Sequence, residues 1–173
     1  MTATSQADAG LARFNALPVA EAEGELLECC AAPDWAIRMA AGRPYPNLAG
    51  LLAEADAAAR GLNWADVATA LAAHPRIGQR PRGTGREADW SRREQAGVDD
   101  ADAATLAALD EANGAYEERF GHIYLVFASG KTKAELLAAA RDRLRNDDST
   151  ERKVVREELR KIARLRLERM VVG

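Results

Sequence analysis

The sequence predicts an all-α fold, a single-domain bundle of about eight to nine helices with no sheet. The chain is rich in alanine, leucine, glutamate and arginine and only 5% aromatic, a composition that favours helices over strands. Apolar residues recur at helical spacing, and proline, glycine and asparagine interrupt them at intervals typical of helix ends. A length of 173 residues is that of one domain.

In the first half of the chain, helix-breaking residues separate the predicted helices. Residues 1–8 are polar and are expected to form a disordered lead, with one domain over residues 9–173. Asn47 and Asn63 are predicted N-caps, and the proline-rich stretch 43–47 is a predicted turn. Helices are expected over residues 9–16, 19–30, 33–42, 48–60 and 64–74.

The second half continues the helical pattern with one ambiguous segment. Residues 121–130 resemble a short strand, but a lone strand leaves its backbone groups unpaired, so we predict a buried helix continuation that breaks at 129–130. Residues 79–86 form a predicted loop. Thr132 and Glu135 form a predicted capping box, and Ser149 or Thr150 is expected to cap the last helix. Helices are expected over residues 87–96, 102–120, 132–145 and 150–170.

Charge and cysteine content argue against several classes of partner. A formal net charge of −3 gives no general attraction to nucleic acid or to anionic membranes. Acidic residues interrupt the basic stretch 141–169, and no apolar run is long enough to span a membrane. The two cysteines, Cys29 and Cys30, are adjacent, which disfavours a disulfide and a thiolate zinc site. We therefore expect reduced cysteines in a cytoplasmic protein, without nucleic-acid or membrane partners.

An apolar stripe leads into a histidine followed by proline. Trp64, Val67, Ala68 and Leu71 share one helix face, and His74 continues that line at the helix end. Pro75 forces the chain to turn. An inward-facing histidine held by a rigid turn is suited to proton transfer near neutral pH. The alternative is a histidine that caps the helix by bonding its last carbonyl groups.

An arginine lies on the apolar face of the last helix. Val155, Leu159 and Ile162 point the same way, and Arg166 falls in the middle of their stripe. Because charged side chains are almost never buried alone, Arg166 needs an internal carboxylate or an anionic ligand. The alternatives are that it reaches water from the helix end or pairs with a structural carboxylate.

A third polar set lies on the helix predicted over residues 87–96. Ser91, Glu94 and Gln95 stand at i, i+3 and i+4 and share one face. Alone, such a face is usually solvated. Together with His74 and Arg166, it forms a set suited to a small, polar, anionic molecule, a hypothesis that requires the three elements to meet.

Several short motifs follow one another along the chain. They are His74-Pro75-Arg76-Ile77-Gly78, Ser91-x-x-Glu94-Gln95-x-Gly97, Asn113-x-x-Tyr116 and Arg119-Phe120-Gly121, with Cys29-Cys30, Trp35 and Arg43-Pro44 before them and residues 161–167 after them. In this combination the chain resembles the 2-oxo-4-hydroxy-4-carboxy-5-ureidoimidazoline (OHCU) decarboxylases over about residues 14–170.

The resemblance implies an all-helical, cofactor-independent and metal-free enzyme of urate degradation that converts OHCU to (S)-allantoin and carbon dioxide. It implies catalytic roles for His74, in proton transfer, for Glu94 and for Arg166. Substrate contacts are implied for a second set of residues: Pro75, Ser91, Gln95, Val126, Phe127, Ala128, Ser129 and Gly130. A homodimer is left open as the assembly.

The sequence also fits two other functions and contains a second histidine. The chain could instead be a non-enzymatic helical interaction module, or its basic C-terminal stretch could bind nucleic acid. His122 is a second candidate acid. Because its neighbours in the sequence are apolar, a packed or capping role is expected for it.

Overall fold

The structure, a computed structural model, describes residues 3–79, 84–95 and 103–173, and it is all-α over these residues. Within those ranges it contains nine helices and no strand, which confirms the predicted fold class. The helices are α1 (Ala3–Ala16), α2 (Val19–Cys29), α3 (Pro33–Ala41), α4 (Leu48–Arg60), α5 (Trp64–Ala72), α6 (Arg86–Gln95), α7 (Ala103–Phe120), α8 (Lys133–Arg143) and α9 (Asp148–Val172).

The chain divides into two compact units. Unit 1 comprises Met1–Ala70 together with Leu159–Gly173, and unit 2 comprises Leu71–Glu158. The single domain over residues 9–173 stays a prediction. None of the described helices combines the length and the apolar character needed to cross a membrane.

Unit 1 is built around large apolar side chains on its first four helices. Trp35 is fully buried, and its Nε1 donates a hydrogen bond to the Ala55 carbonyl at 3.1 Å, which joins α3 to α4. The Arg43 guanidinium donates to the carbonyl oxygens of Phe14 and Leu17, each at 2.8 Å. These bonds satisfy carbonyl groups that the end of α1 leaves without helical partners.

The two cysteines lie in the core of unit 1. Both are free thiols, Cys29 0% and Cys30 1% exposed. Burial raises the pKa of the Cys30 thiol to about 12, because the thiolate would lose its hydration. Both side chains therefore serve as small apolar groups in the packing.

The first helix is longer than predicted. It begins at Ala3, so residues 3–8 are helical where a disordered lead was expected. The segment contains Ala3, Gln6 and Ala7, residue types with high helix propensity, and these continue the helix toward the N-terminus. The expectation of disorder at residues 3–8 was therefore wrong, because it gave more weight to the polarity of the segment than to its helix propensity.

Gly10 lies where α1 closely approaches the end of α9. A Cβ atom on Gly10 would stand 1.7 Å from the carbonyl oxygen of Val171, far inside van der Waals contact. Gly24, in α2, is exposed and has nothing within 4 Å of the corresponding position. The two glycines therefore allow a controlled comparison, because both lie in helices but only Gly10 has no room for a Cβ atom.

We expect Gly10→Ala to lower the free energy of unfolding by about 1–3 kcal/mol, because α1 must move away from α9. Gly24→Ala should raise it by about 0.5–1 kcal/mol, since alanine loses less backbone entropy in a helix. Urea denaturation followed by far-UV circular dichroism measures both. Equal effects of the two substitutions would contradict the close approach at Gly10.

Helix ends follow the predicted caps with one exception. The Asn47 and Asn63 side chains accept hydrogen bonds from the backbone N–H groups of Gly50 and Asp66, at 2.8 and 3.0 Å. The capping box of Thr132 and Glu135 is present at the start of α8. Asp147, rather than Ser149 or Thr150, caps α9 and accepts from the Thr150 N–H at 2.7 Å. The carboxylate is one of the strongest N-cap groups, which explains the shift.

Unit 2 contains a buried polar cluster, formed by Tyr116, Arg143 and Glu151. Glu151 is fully buried, and its Oε1 accepts hydrogen bonds from Arg143 Nε, at 2.7 Å, and from the Tyr116 hydroxyl. Asn146 Nδ2 donates to Oε2 of the same carboxylate at 2.8 Å. Burial, and then the hydrogen bond to Glu151, raise the pKa of Tyr116 well above its usual value. The cluster packs beside apolar residues of α7 and α8, among them Leu109 and Leu136.

Residues 121–130 are neither the predicted helix continuation nor a strand. Gly121 has φ +74, a left-handed conformation that ends α7, and no regular secondary structure follows before α8. Side chains bond the backbone of this segment. Arg143 Nη1 donates to the Leu125 carbonyl at 2.6 Å, and the Phe127 N–H donates to Glu158 Oε2 at 2.6 Å. The prediction was wrong because it considered only backbone partners.

Candidate active site

The His74 loop, defined here as residues 74–78, follows the end of α5. The helix stops at Ala72, two residues earlier than predicted, because Pro75 disfavours the helical conformation at His74. The His74 N–H still donates to the Leu71 carbonyl at 3.0 Å, as in a tight final turn. The His74 side chain is half-buried.

The predicted stripe on α5 is only partly correct. Val67 and Leu71 are buried and Trp64 is half-buried, as expected. Ala68 is exposed, and Ala70 is buried in its place. The buried face of α5 is therefore rotated slightly from the one that the apolar spacing predicted.

Two helices of unit 2 hold the His74 loop. Arg76 forms a two-pronged ion pair with Glu117 on α7, with Nε–Oε1 at 2.5 Å and Nη2–Oε2 at 2.6 Å. Asn113, one turn earlier on α7, donates from Nδ2 to the Ile77 carbonyl at 2.9 Å. From α6, Gln95 Oε1 accepts a hydrogen bond from the Gly78 N–H at 3.1 Å.

The polar face of α6 is not simply solvated. Ser91 is 3% exposed and Glu94 9% exposed, while Gln95 is half-buried. The bond from Gly78 to Gln95 brings this helix to the His74 loop. Within unit 2, the structure therefore joins the His74 loop to Gln95 of this face. Proximity of the His74 side chain to Ser91 and Glu94 stays a prediction.

The segment predicted to contact substrate through its backbone, residues 126–130, already uses some of those groups internally. Val126 and Ala128 are buried, Phe127 and Ser129 are half-buried, and Gly130 is exposed. Lys131 Nζ donates to the Phe127 carbonyl at 2.8 Å, and Glu158 accepts from the Phe127 N–H. Contacts of this segment with a substrate stay a prediction.

Arg166 is buried, as its place in the stripe predicted. It is 2% exposed, and Leu159 and Ile162 on the same face are 0% and 3% exposed. Its charge favours the thiolate of Cys30, also in unit 1, although burial outweighs this effect on the pKa of that thiol. Because Arg166 belongs to unit 1, its meeting with His74 and Glu94 stays a prediction.

Comparison with known proteins assigns the family. The sequence model of the family described as OHCU decarboxylase matches residues 15–168, most of the chain. The chain belongs to the OHCU decarboxylase family.

Relatives of this family include a plant and a fish protein. The chain is 31% identical over 152 residues to the uric acid degradation bifunctional protein TTL of Arabidopsis thaliana, covering 86% of this chain and 47% of the plant protein. It is 32% identical over 153 residues to the 2-oxo-4-hydroxy-4-carboxy-5-ureidoimidazoline decarboxylase of Amia calva, covering 87% and 86%. The chain thus spans about half the length of the plant relative and most of the fish relative.

Solved structures support the family fold. An OHCU decarboxylase crystallised in the presence of (S)-allantoin superimposes with a TM-score of 0.73 at 28% identity, covering 86% of this chain and 98% of that chain. An (S)-allantoin synthase structure gives a TM-score of 0.67 at 21% identity over 92% of this chain and 53% of that chain, a likeness of fold alone.

Sequence reasoning missed three residues around the site of this OHCU decarboxylase family member. Glu117 and Glu158 were not singled out, and Asn113 was quoted in a motif without a role. Asn113 and Glu117 stand at i, i+4 and so share one face of α7. That spacing was the available signal, but their partners lie far away in the sequence.

His122 has the packing role that its apolar neighbours in the sequence predicted. Its ring packs edge-on against Tyr116 at 5.5 Å and stacks with Phe120 at 6.1 Å between ring centres. Its Nδ1 lies 3.0 Å from the Ile123 carbonyl. Across the described residues, no group of three or more His, Cys, Asp or Glu side chains is arranged to hold a metal ion.

Proposed function

We propose that this chain is a cofactor-independent decarboxylase that converts OHCU to (S)-allantoin and carbon dioxide. The hydrogen bond between Gly78 and Gln95 carries the proposal, because it joins the His74 loop to the helix that bears Ser91 and Glu94. Membership of the OHCU decarboxylase family and the likeness to a decarboxylase crystallised with (S)-allantoin support it.

In this reaction the protein has two main tasks, which are to transfer protons and to orient the substrate. The bond between the ring carbon and its carboxylate breaks, carbon dioxide leaves, and the electron pair moves toward the neighbouring ring C=N bond. The hydroxyl on the same carbon loses its proton and becomes the carbonyl of allantoin. A proton is added on one face of the carbon that bears the ureido group, which fixes the (S) configuration. The ring nitrogen that receives the electron pair takes up a second proton. Two protons are therefore gained for the one that the hydroxyl loses, which neutralises the negative charge that the carboxylate brought.

The residues divide these tasks by their chemistry. The Glu94 carboxylate accepts a hydrogen bond from the substrate hydroxyl and then its proton. His74 delivers the proton to the ureido-bearing carbon, a form of catalysis worth roughly 10²–10⁴-fold in rate. Arg166 orients the anionic substrate, since binding the leaving carboxylate equally in ground and transition states would not accelerate the step.

The remaining proposed contacts concern recognition. Ser91 and Gln95 contact the ring and ureido groups, and Pro75 lines the site beside His74. Residues 126–130 add backbone contacts. A cytoplasmic location, supported by two free buried thiols, and a homodimer stay predictions.

A coupled assay tests the proposal. Urate oxidase and hydroxyisourate hydrolase generate OHCU from urate, and circular dichroism follows the chirality of the allantoin that forms. With the protein present, we expect OHCU to disappear faster and (S)-allantoin to accumulate in proportion to protein concentration. Equal rates and equal product chirality with and without the protein would overturn the proposed function.

A further inference from the structure

We propose that Asn113 is a positioning residue that sets the place of the His74 imidazole through the backbone of Ile77. The proposal rests on the proposed function, in which His74 transfers a proton. Asn113 itself makes no proposed contact with substrate, and its effect on the reaction passes through the His74 loop.

The loop is held at three successive residues. Arg76 is bound through its side chain by Glu117, Ile77 through its carbonyl by Asn113, and Gly78 through its N–H by Gln95. Of these three bonds, only the one from Asn113 lies in a fully buried environment. It is also the bond that reaches the backbone from α7, so it fixes the distance between that helix and the loop.

The side chain of Asn113 is not explained by packing alone. It is 2% exposed, and its Oδ1 has no hydrogen-bond partner among the residues that the structure describes. A buried carbonyl oxygen without a partner costs free energy, which an apolar side chain of similar size would avoid. The amide is therefore useful at this position for its donor, and that donor bonds the Ile77 carbonyl.

The anchored residues restrict His74 from one side, and α5 restricts it from the other. The His74 N–H bonds the Leu71 carbonyl at 3.0 Å, and Pro75 has a restricted φ angle. Only a short stretch of backbone between these points can adjust when the Ile77 anchor is lost. A displacement of the imidazole by about 1 Å is enough to slow proton transfer by about 10²-fold.

The first test compares Asn113→Leu with Asn15→Leu. Asn15, in unit 1, makes the same kind of bond: its Nδ2 donates to a backbone carbonyl, that of Tyr45, at 2.9 Å. We expect Asn113→Leu to lower kcat by about 10- to 100-fold and to change KM by less than about threefold. Asn15→Leu should lose stability and keep kcat.

The second test observes the imidazole directly and does not need activity. The chain has two histidines, so the imidazole region of a heteronuclear NMR spectrum contains two sets of signals, from His74 and His122. In Asn113→Leu, the imidazole chemical shifts of His74 should change more than those of His122. An inactive wild-type protein would reject the proposed function, while the NMR comparison would still test the positioning role.

Glu117→Gln provides a second variant for the case in which Asn113→Leu does not fold. It weakens the neighbouring anchor on Arg76, at a half-buried position, and should move the His74 signals in the same direction with a smaller loss of kcat. Unchanged kcat and unchanged His74 signals in a folded variant would overturn the proposal. Equal changes at both histidines would also overturn it, because they would indicate general repacking.

Discussion

Replacing His74 with asparagine is expected to lower the rate of (S)-allantoin formation by about 10²–10⁴-fold. Asparagine keeps a polar side chain of similar reach but cannot transfer a proton near neutral pH. The measurement is the coupled assay from urate, with kcat obtained from the circular dichroism of the product. A variant that forms the (S) product as fast as wild type would show that His74 is not the proton donor.

The same substitution should leave the fold intact. His74 is half-buried, and its helix-ending bond to Leu71 is made by the backbone N–H, which asparagine also has. A polar substitution at a helix end seldom costs more than about 1 kcal/mol, so the Tm should stay within a few degrees of wild type. His122→Asn is the matched control, since His122 packs against Tyr116 and Phe120. It should lose stability and retain activity.

Replacing Glu151 with alanine is expected to lower the free energy of unfolding by about 3–5 kcal/mol. Glu151 is fully buried, and its carboxylate neutralises Arg143, whose side chain is 9% exposed. It also accepts hydrogen bonds from the Tyr116 hydroxyl and the Asn146 amide. The alanine variant leaves a buried guanidinium without its counter-charge and a phenol without its acceptor. Equilibrium denaturation in urea measures the loss.

Two variants separate the buried charge from other effects. Glu168→Ala removes an exposed carboxylate from the same helix, α9, and should change stability by no more than about 0.5 kcal/mol. Combining Arg143→Met with Glu151→Leu removes both charges, and should recover a large part of what Glu151→Ala loses. A Glu151→Ala protein as stable as Glu168→Ala would contradict the role of the ion pair.

The sequence was sufficient to predict the fold class, most helix boundaries and the burial of Arg166. These features depend on information within one helix. The 3.6-residue period assigns Arg166 to the same face as Leu159 and Ile162, and all three are buried. Caps such as Asn47 bond a backbone group only three residues away, so composition and spacing are enough to recognise them.

Only the tertiary structure decided the conformation of residues 121–130 and the anchoring of the His74 loop. Phe127 bonds a carboxylate 31 residues away, and Ile77 bonds an amide 36 residues away. Each contact exists because the packing of unit 2 brings distant helices together. Contacts between residues so far apart in the sequence follow no periodic pattern, so the sequence pattern does not reveal them. Local chemistry therefore determined the helices and their polar faces. Packing determined which backbone groups form hydrogen bonds with the side chains on those faces.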